Sequence, residues 1–177
     1  MIRLHYGLNY NPFEKDNAIK YVHETLDFKD ASGRLEYLVK AKGIGLFTGS
    51  AGMGKTYTVR EFSDKLNANL HKVIYINSST LTVNEFYRAL CFSLGIEPPH
   101  KKIDMFIVIQ ETITNLYKVK KTPLVLIIDE AQYLKTSMLN DFPLLLNFEY
   151  DSKNYCSLIL VGLPYLTSVY KEMHMNP

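Results

Sequence analysis

Cysteine, arginine and long apolar runs are all scarce in this chain, and each scarcity closes off a class of protein. Cys91 and Cys156 are the only two cysteines among 177 residues, and each stands alone in an apolar or mixed segment. Two isolated thiols do not make a disulfide framework, so they read as buried thiols of a reducing, cytoplasmic compartment. The five histidines, His5, His23, His71, His100 and His174, show no metal-ligand spacing, so no zinc is expected. No apolar stretch approaches the ~20 residues that span a bilayer, and Met1-Ile2-Arg3-Leu4-His5-Tyr6-Gly7 lacks the apolar core of a secretory leader. No membrane span is expected. The net charge of +2 is too even to argue for nucleic acid by itself. Arginine is limited to Arg3, Arg34, Arg60 and Arg88, and none follows position 88.

What is present is concentrated chemistry. A composition of 47% hydrophobic and 21% charged residues suits one globular domain with a real core. Within it, Gly49-Ser50-Ala51-Gly52-Met53-Gly54-Lys55-Thr56 matches GxxxxGK[ST], the phosphate-binding loop of nucleoside triphosphatases. Such a loop aims consecutive backbone N–H groups at phosphate oxygens, and the helix that follows adds the positive end of its dipole. Lys55 supplies a cation for the β- and γ-phosphates, and Thr56 a hydroxyl for Mg²⁺. Gly52 and Gly54 stand where a Cβ would block the phosphate or force a strained φ. Tyr57 completes the set of residues expected at the nucleotide. The context fits: Ile44–Thr48 reads as a buried strand before the loop, and Val59, Phe62 and Leu66 as the inner face of a helix after it. A plain glycine-rich surface turn would not need either neighbour.

A second motif supports the first. Leu124-Val125-Leu126-Ile127-Ile128 runs without alternation into Asp129-Glu130. An uninterrupted apolar run suits a central parallel strand covered on both faces, and ligands bind at the carboxyl ends of such strands. Asp129 is then the expected Mg²⁺ carboxylate, acting through a water, and Glu130 and Lys55 the expected catalytic pair. Glu130 would polarise the water that attacks the γ-phosphate. The plainer alternative, a strand ending in a solvated acidic turn, leaves the upstream loop unexplained.

The rest of the chain alternates helix and strand. A helix is expected over about Ser32–Ala41, with Leu35, Leu38 and Val39 inward. Val73–Asn77 reads as a strand; Asn77 at its end is either a turn residue or a polar group able to reach the γ-phosphate or Glu130. Thr82-Val83-Asn84-Glu85 is a capping box opening a helix that Gly95 ends. Ile103, Phe106, Ile107, Gln110, Ile113 and Tyr117 mark the next helix. A helix over about Ser137–Tyr150, a strand over Ser157–Gly162 and a last helix with Pro164 at its first position complete the pattern. The fold class is α/β: a three-layer P-loop NTPase sandwich with a mainly parallel sheet of four strands. Residues 1–31 form an N-terminal arm and residues 32–177 the core.

Residues beyond these motifs carry a family likeness. They are Tyr6-Gly7-Leu8 with Asn11-Pro12-Phe13, Arg34-Leu35-Glu36-Tyr37-Leu38, Gly43–Gly49, Leu81-Thr82-Val83, Pro98-Pro99-His100, Asp129-Glu130-Ala131-Gln132 and Leu144–Glu149. With them the chain resembles the AAA+ ATPases of the ExeA-like group, which include ATPases encoded beside transposases of insertion sequences. The resemblance implies an oligomeric, ATP- and Mg²⁺-dependent helper that engages duplex DNA and a transposase, with the arm packed near the adenine. Phe13 is either part of that contact or simple core. Within the group, secretion or cell-envelope ATPases and a non-catalytic nucleotide-gated scaffold are alternatives. A small-molecule kinase is disfavoured by the arginine-poor C-terminal half. Asp-Glu-Ala-Gln also occurs in superfamily 2 helicases, but those need a second domain and an arginine-rich motif.

Three departures from the family pattern shape the expectation. Leu163 follows Gly162 where the family has a polar sensor of the γ-phosphate. Pro143 falls inside a helix, so that helix is expected either to kink or to restart with Asp141 as its cap. The chain ends at Asn176-Pro177, about where the family continues into an arginine-bearing segment, a fifth strand and the lid. ATP binding with weak or no hydrolysis is expected, together with self-association through an unpaired sheet edge. His100-Lys101-Lys102 and Lys118-Lys120-Lys121 are the candidate DNA contacts, or else solvated loops.

Overall fold

The computed structural model describes residues 5–7, 25–78, 81–149 and 153–174. Most of the expected arm, Asn11-Pro12-Phe13 included, lies outside the described residues. The first long helix, α1 (Leu26–Ala41), starts earlier than Ser32 because Thr25 caps it, its Oγ1 accepting from the Phe28 N–H at 3.2 Å. Strand β1 (Gly43–Thr48), helix α2 (Lys55–Lys65) and strand β2 (Lys72–Asn77) follow. Helices α3 (Val83–Leu94) and α4 (Lys102–Lys118) then lead to β3 (Leu124–Asp129). A 3-10 turn (Ala131–Tyr133), α5 (Thr136–Leu145), β4 (Cys156–Gly162) and α6 (Tyr165–His174) complete the order.

All four strands are parallel, in the order β1-β4-β3-β2. Side chains of a strand alternate between faces, and here the alternation sorts the core in two. Ile74, Leu126, Ile128, Leu158 and Leu160 pack with α3, α4 and α5. Val125, Ile127, Ile159 and Val161 pack with Leu35 and Val39 of α1 and Val59 and Phe62 of α2. Both faces of β3 and β4 are therefore covered, and every residue of those two strands is buried. The edge strands differ: β1 is half-buried along its whole length, and among the described residues its outer side has no pairing strand.

The capping box forms as expected. Thr82 accepts from the Glu85 N–H at 3.4 Å, Glu85 accepts from the Thr82 N–H at 2.8 Å, and Gly95 ends α3 in the left-handed region. Both cysteines are free and buried, and burial pushes the Cys156 thiol up to about 12. Helix α4 forms where its apolar residues mark it. The face it buries is Met105, Ile109, Ile113 and Leu116, while Ile103 and Ile107 stand exposed. One expectation needs correction. Helix α5 stops at Leu145, short of Tyr150, and neither restarts nor uses Asp141 as a cap. Pro143 sits inside it, costing the bond to the carbonyl a turn earlier, and the helix ends soon after. Asp141 instead accepts from the Tyr87 hydroxyl at 3.0 Å and pairs with Lys102 at 2.5 Å.

The two faces of α4 are separable by substitution. Ile109→Ala should lower unfolding free energy by about 2–5 kcal/mol. Ile107→Ala should change it by no more than about 0.5 kcal/mol, as surface substitutions do. Denaturant titration of both variants measures the difference.

Candidate functional site

The site is assembled at the carboxyl ends of the strands. The turn after β1 hands the chain to α2 through Gly54, whose φ of 77° is left-handed, as is the 80° of Gly52. A Cβ at either glycine would meet nothing within 4 Å. Conformation, not crowding, therefore requires glycine there. No side chain caps α2, so its first N–H groups face the loop without a protein partner from a cap. The Gly49 N–H donates to the Gly162 carbonyl at 3.2 Å, which ties the start of the loop to the end of β4. Lys55 Nζ donates to the carbonyls of Gly49 and Ser50, both at 2.9 Å, and so lies across the loop. Ser50, Ala51, Gly52, Met53, Gly54 and Thr56 are exposed; Gly49, Lys55 and Tyr57 are half-buried.

Residues 73 apart in sequence meet at β3. Thr56 Oγ1 donates to Asp129 Oδ2 at 2.8 Å, and the Glu130 N–H donates to Asp129 Oδ1 at 2.9 Å. Asp129 is buried to 3% exposure. Glu130 has a φ of 56°, an uncommon conformation outside glycine, which turns the chain sharply into the 3-10 turn. Ser78, buried after β2, donates to the carbonyls of Asp129 at 2.9 Å and Glu130 at 3.0 Å, fixing that turn from below. Asn77 stands in register with Asp129 on the neighbouring strand.

A cavity of about 330 Å³ opens beside the loop, walled by Phe28, Ala31, Phe47, Met53 and Tyr57, with Asp27 and Lys55 among its polar groups. Phe28 and Tyr57 face each other at 6.2 Å between ring centroids. An apolar cavity with a few polar groups, contiguous with a phosphate-binding loop, has the size and character of a nucleoside site.

Residues 38–169 match the family model described as AAA domain. The chain belongs to the AAA ATPase family. It is 29% identical over 171 residues to General secretion pathway protein A of Aeromonas hydrophila, a match covering 94% of this chain and 31% of that protein. This agrees with the ExeA-like likeness read from the sequence. Among solved structures, Cdc6p of Pyrobaculum aerophilum shares the fold with a TM-score of 0.65 at 18% identity, covering 93% of this chain and 46% of that one. The Aeropyrum pernix ORC1 protein, solved in complex with DNA, gives a TM-score of 0.65 at 17% identity, covering 91% and 46%. The chain thus spans less than half the length of each. As a nucleotide-binding AAA core it has the expected loop, and loop and acids meet at one point.

Two residues of this AAA core were not singled out from sequence. Tyr75, on β2, donates its hydroxyl to Asp129 Oδ2 at 2.5 Å. Burial first, then this bond, push its phenol far above its ordinary value, so it stays a donor. Strand alternation held the clue, since Tyr75 shares the α2-facing side with Val73 and projects toward Asp129 across the strand pair. Gln132 was noted only as part of a motif. Its side-chain amide donates to the Glu130 carboxylate, its Oε1 accepts from the Leu163 N–H at 3.2 Å, and its carbonyl accepts from the Tyr165 hydroxyl at 2.7 Å. A polar group therefore does stand beside Leu163, contributed by another element.

The donor set suits Mg²⁺ that is shared with phosphates. One carboxylate and one hydroxyl, both hard oxygen ligands, are what such an ion takes from protein when phosphates and water supply the remainder. Among the described residues, no group of three or more His, Cys, Asp or Glu could hold a metal by itself. No described helix is long and apolar enough to cross a membrane.

Gly162 shows how closely Gln132 is fitted. A Cβ there would lie 2.6 Å from Gln132 Oε1 and 3.0 Å from a Leu166 methyl. Gly162→Ala should destabilise the fold by about 1–3 kcal/mol, the usual cost of overpacking. In the Gly162→Ala/Gln132→Ala double variant most of that added cost should vanish, because neighbouring sites couple. Thermal unfolding of the four proteins of this cycle checks it.

Proposed function

We propose that this chain is a Mg²⁺–ATP-binding core with slow intrinsic turnover, acting as a helper ATPase in DNA transposition. The Thr56–Asp129 hydrogen bond carries the nucleotide part, because it puts the loop hydroxyl and a buried carboxylate at one point beside Lys55. In this reading the N–H groups of Ser50–Tyr57 hold the phosphates, and Lys55 neutralises the β- and γ-phosphates. Thr56 and Asp129 hold Mg²⁺, and Glu130 orients the attacking water. The base occupies the cavity that Phe28 and Tyr57 help to wall. Slow turnover is supported by two features. Leu163 offers no side-chain donor toward a γ-phosphate, and Glu130 is already engaged by Gln132.

The transposition role rests on the motifs that resemble transposase-associated ATPases. The proposed protein is a cytoplasmic homo-oligomer working with a transposase on duplex DNA. The lysine clusters give limited support: Lys102 pairs with Asp141 and Lys118 with Glu149, which leaves Lys101, Lys120 and Lys121 as exposed cations. A secretion role is the second reading, favoured by the likeness to General secretion pathway protein A over 94% of this chain.

Calorimetry with ATP and Mg²⁺ should find binding in the unmodified protein and in Glu130→Gln, and none in Lys55→Ala. Wild-type affinity in Lys55→Ala would remove the loop from the site. Steady-state turnover should stay below about 1 per second, near the low end for enzymes. For the DNA role, duplex affinity should fall with salt by about 0.9 log unit per log unit of salt for each phosphate contacted. Replacing Lys101, Lys120 and Lys121 should flatten that slope. Absence of salt-dependent duplex binding would favour the secretion reading.

A further inference from the structure

We propose that Tyr75 is a positioning residue for the metal: its hydroxyl holds the Asp129 carboxylate in the orientation that receives Mg²⁺. The inference rests on the nucleotide-binding reading above and extends it to a residue outside the loop and outside the β3 acids.

Asp129 Oδ2 is shared by two hydroxyls that arrive from different parts of the chain. Thr56 Oγ1 reaches it at 2.8 Å from the start of α2, and the Tyr75 hydroxyl at 2.5 Å from β2. The other oxygen, Oδ1, is held by the Glu130 N–H at 2.9 Å. A carboxylate has about four acceptor positions, so three donors leave room for a metal-bound water on an otherwise fixed group. The two hydroxyls are not equivalent. Thr56 is itself an expected metal ligand, so its oxygen must satisfy the ion as well as donate to Asp129. Tyr75 has a single described hydrogen-bond partner in the site, Asp129. Its anchor is a strand, in register with β3 from Lys72 through Asn77, so its base is fixed relative to the carboxylate.

Tyr75 is 39% exposed, but its oxygen is turned to a carboxylate whose own exposure is 3%. Replacing it with phenylalanine removes one of the two donors that hold Oδ2 of a buried acid. Mg²⁺ accepts little deviation from octahedral geometry, and losing a partner that orients a metal ligand typically costs about 10- to 100-fold in metal affinity. ATP without metal makes its contacts through the loop N–H groups and Lys55, none of which Tyr75 touches in the bonds described.

Tyr75→Phe separates these roles, and the probes are ATP with EDTA and ATP with titrated MgCl₂, followed by calorimetry. The Mg²⁺ concentration that gives half of the metal-dependent gain in ATP affinity should rise about tenfold. Metal-free ATP affinity should change less than about twofold. In an Asp129→Asn background, adding Tyr75→Phe should produce no further loss, because the carboxylate it positions is gone. An unchanged Mg²⁺ requirement in Tyr75→Phe overturns the proposal while leaving the nucleotide reading intact. Equal loss of metal-free and metal-dependent binding also overturns it, since that marks Tyr75 as a fold residue. Failure of the unmodified protein to bind ATP at all defeats the nucleotide reading, and this inference with it.

Discussion

Asp129 Oδ2 is the oxygen on which two distant stretches of chain converge, and the rest of the site is arranged around it. Thr56 approaches from the phosphate-binding loop and Tyr75 from β2, while the neighbouring oxygen takes the Glu130 N–H. A buried carboxylate is expensive unless its acceptors are filled. Filling them from α2 and β2 at once obliges the loop, the edge strand and the central strand to keep one mutual arrangement. The sheet order makes this possible. β4 lies between β1 and β3, so the loop must reach across the end of β4 to meet Asp129. The Gly49–Gly162 hydrogen bond marks the crossing.

The same economy explains the turn after β3. Glu130 takes a left-handed backbone without being glycine, a conformation that costs energy and persists only when its surroundings hold it. They do so from two sides. Ser78 binds the carbonyls of Asp129 and Glu130, and Gln132 links the Glu130 carboxylate to the backbone of Leu163. Here an apolar Leu163 is bridged through its N–H, and the absence of a Cβ at Gly162 leaves the space for the bridge.

Away from the site, charges that look available in sequence are partly committed to packing. Lys102 lies over the Tyr87 ring and pairs with Asp141, and Lys118 lies over the Tyr155 ring and pairs with Glu149. Glu149 also accepts from Tyr155 and Lys153, and the Lys118, Tyr155 and Lys153 bonds together hold its carboxyl down at about 2. A lysine whose stem covers an aromatic ring stabilises the fold by its methylenes as well as its charge. That is why a run of lysines in sequence overstates the cationic surface left free.

Sequence by itself determined the parts whose physics is local. The loop from Gly49 to Thr56, the apolar strand into Asp129 and Glu130, and the capping box at Thr82 were all legible. In each the meaning lies in residues a few positions apart: positive φ, an unbroken buried run, a reciprocal pair of caps. The α4 face, the length of α5 and the service of Lys102 and Lys118 were decided only by packing. They depend on which of several apolar stripes finds a partner, and on acids far away in the chain. Tyr75 and Gln132 belong to this second group. Alternation puts Tyr75 on the face of β2 that Asp129 shares, but nothing next to either residue names the partner of its polar atom. Only a parallel sheet that sets β2 beside β3, and β4 beside the 3-10 turn, turns a tyrosine hydroxyl and a glutamine amide toward the two carboxylates that the sequence had already marked.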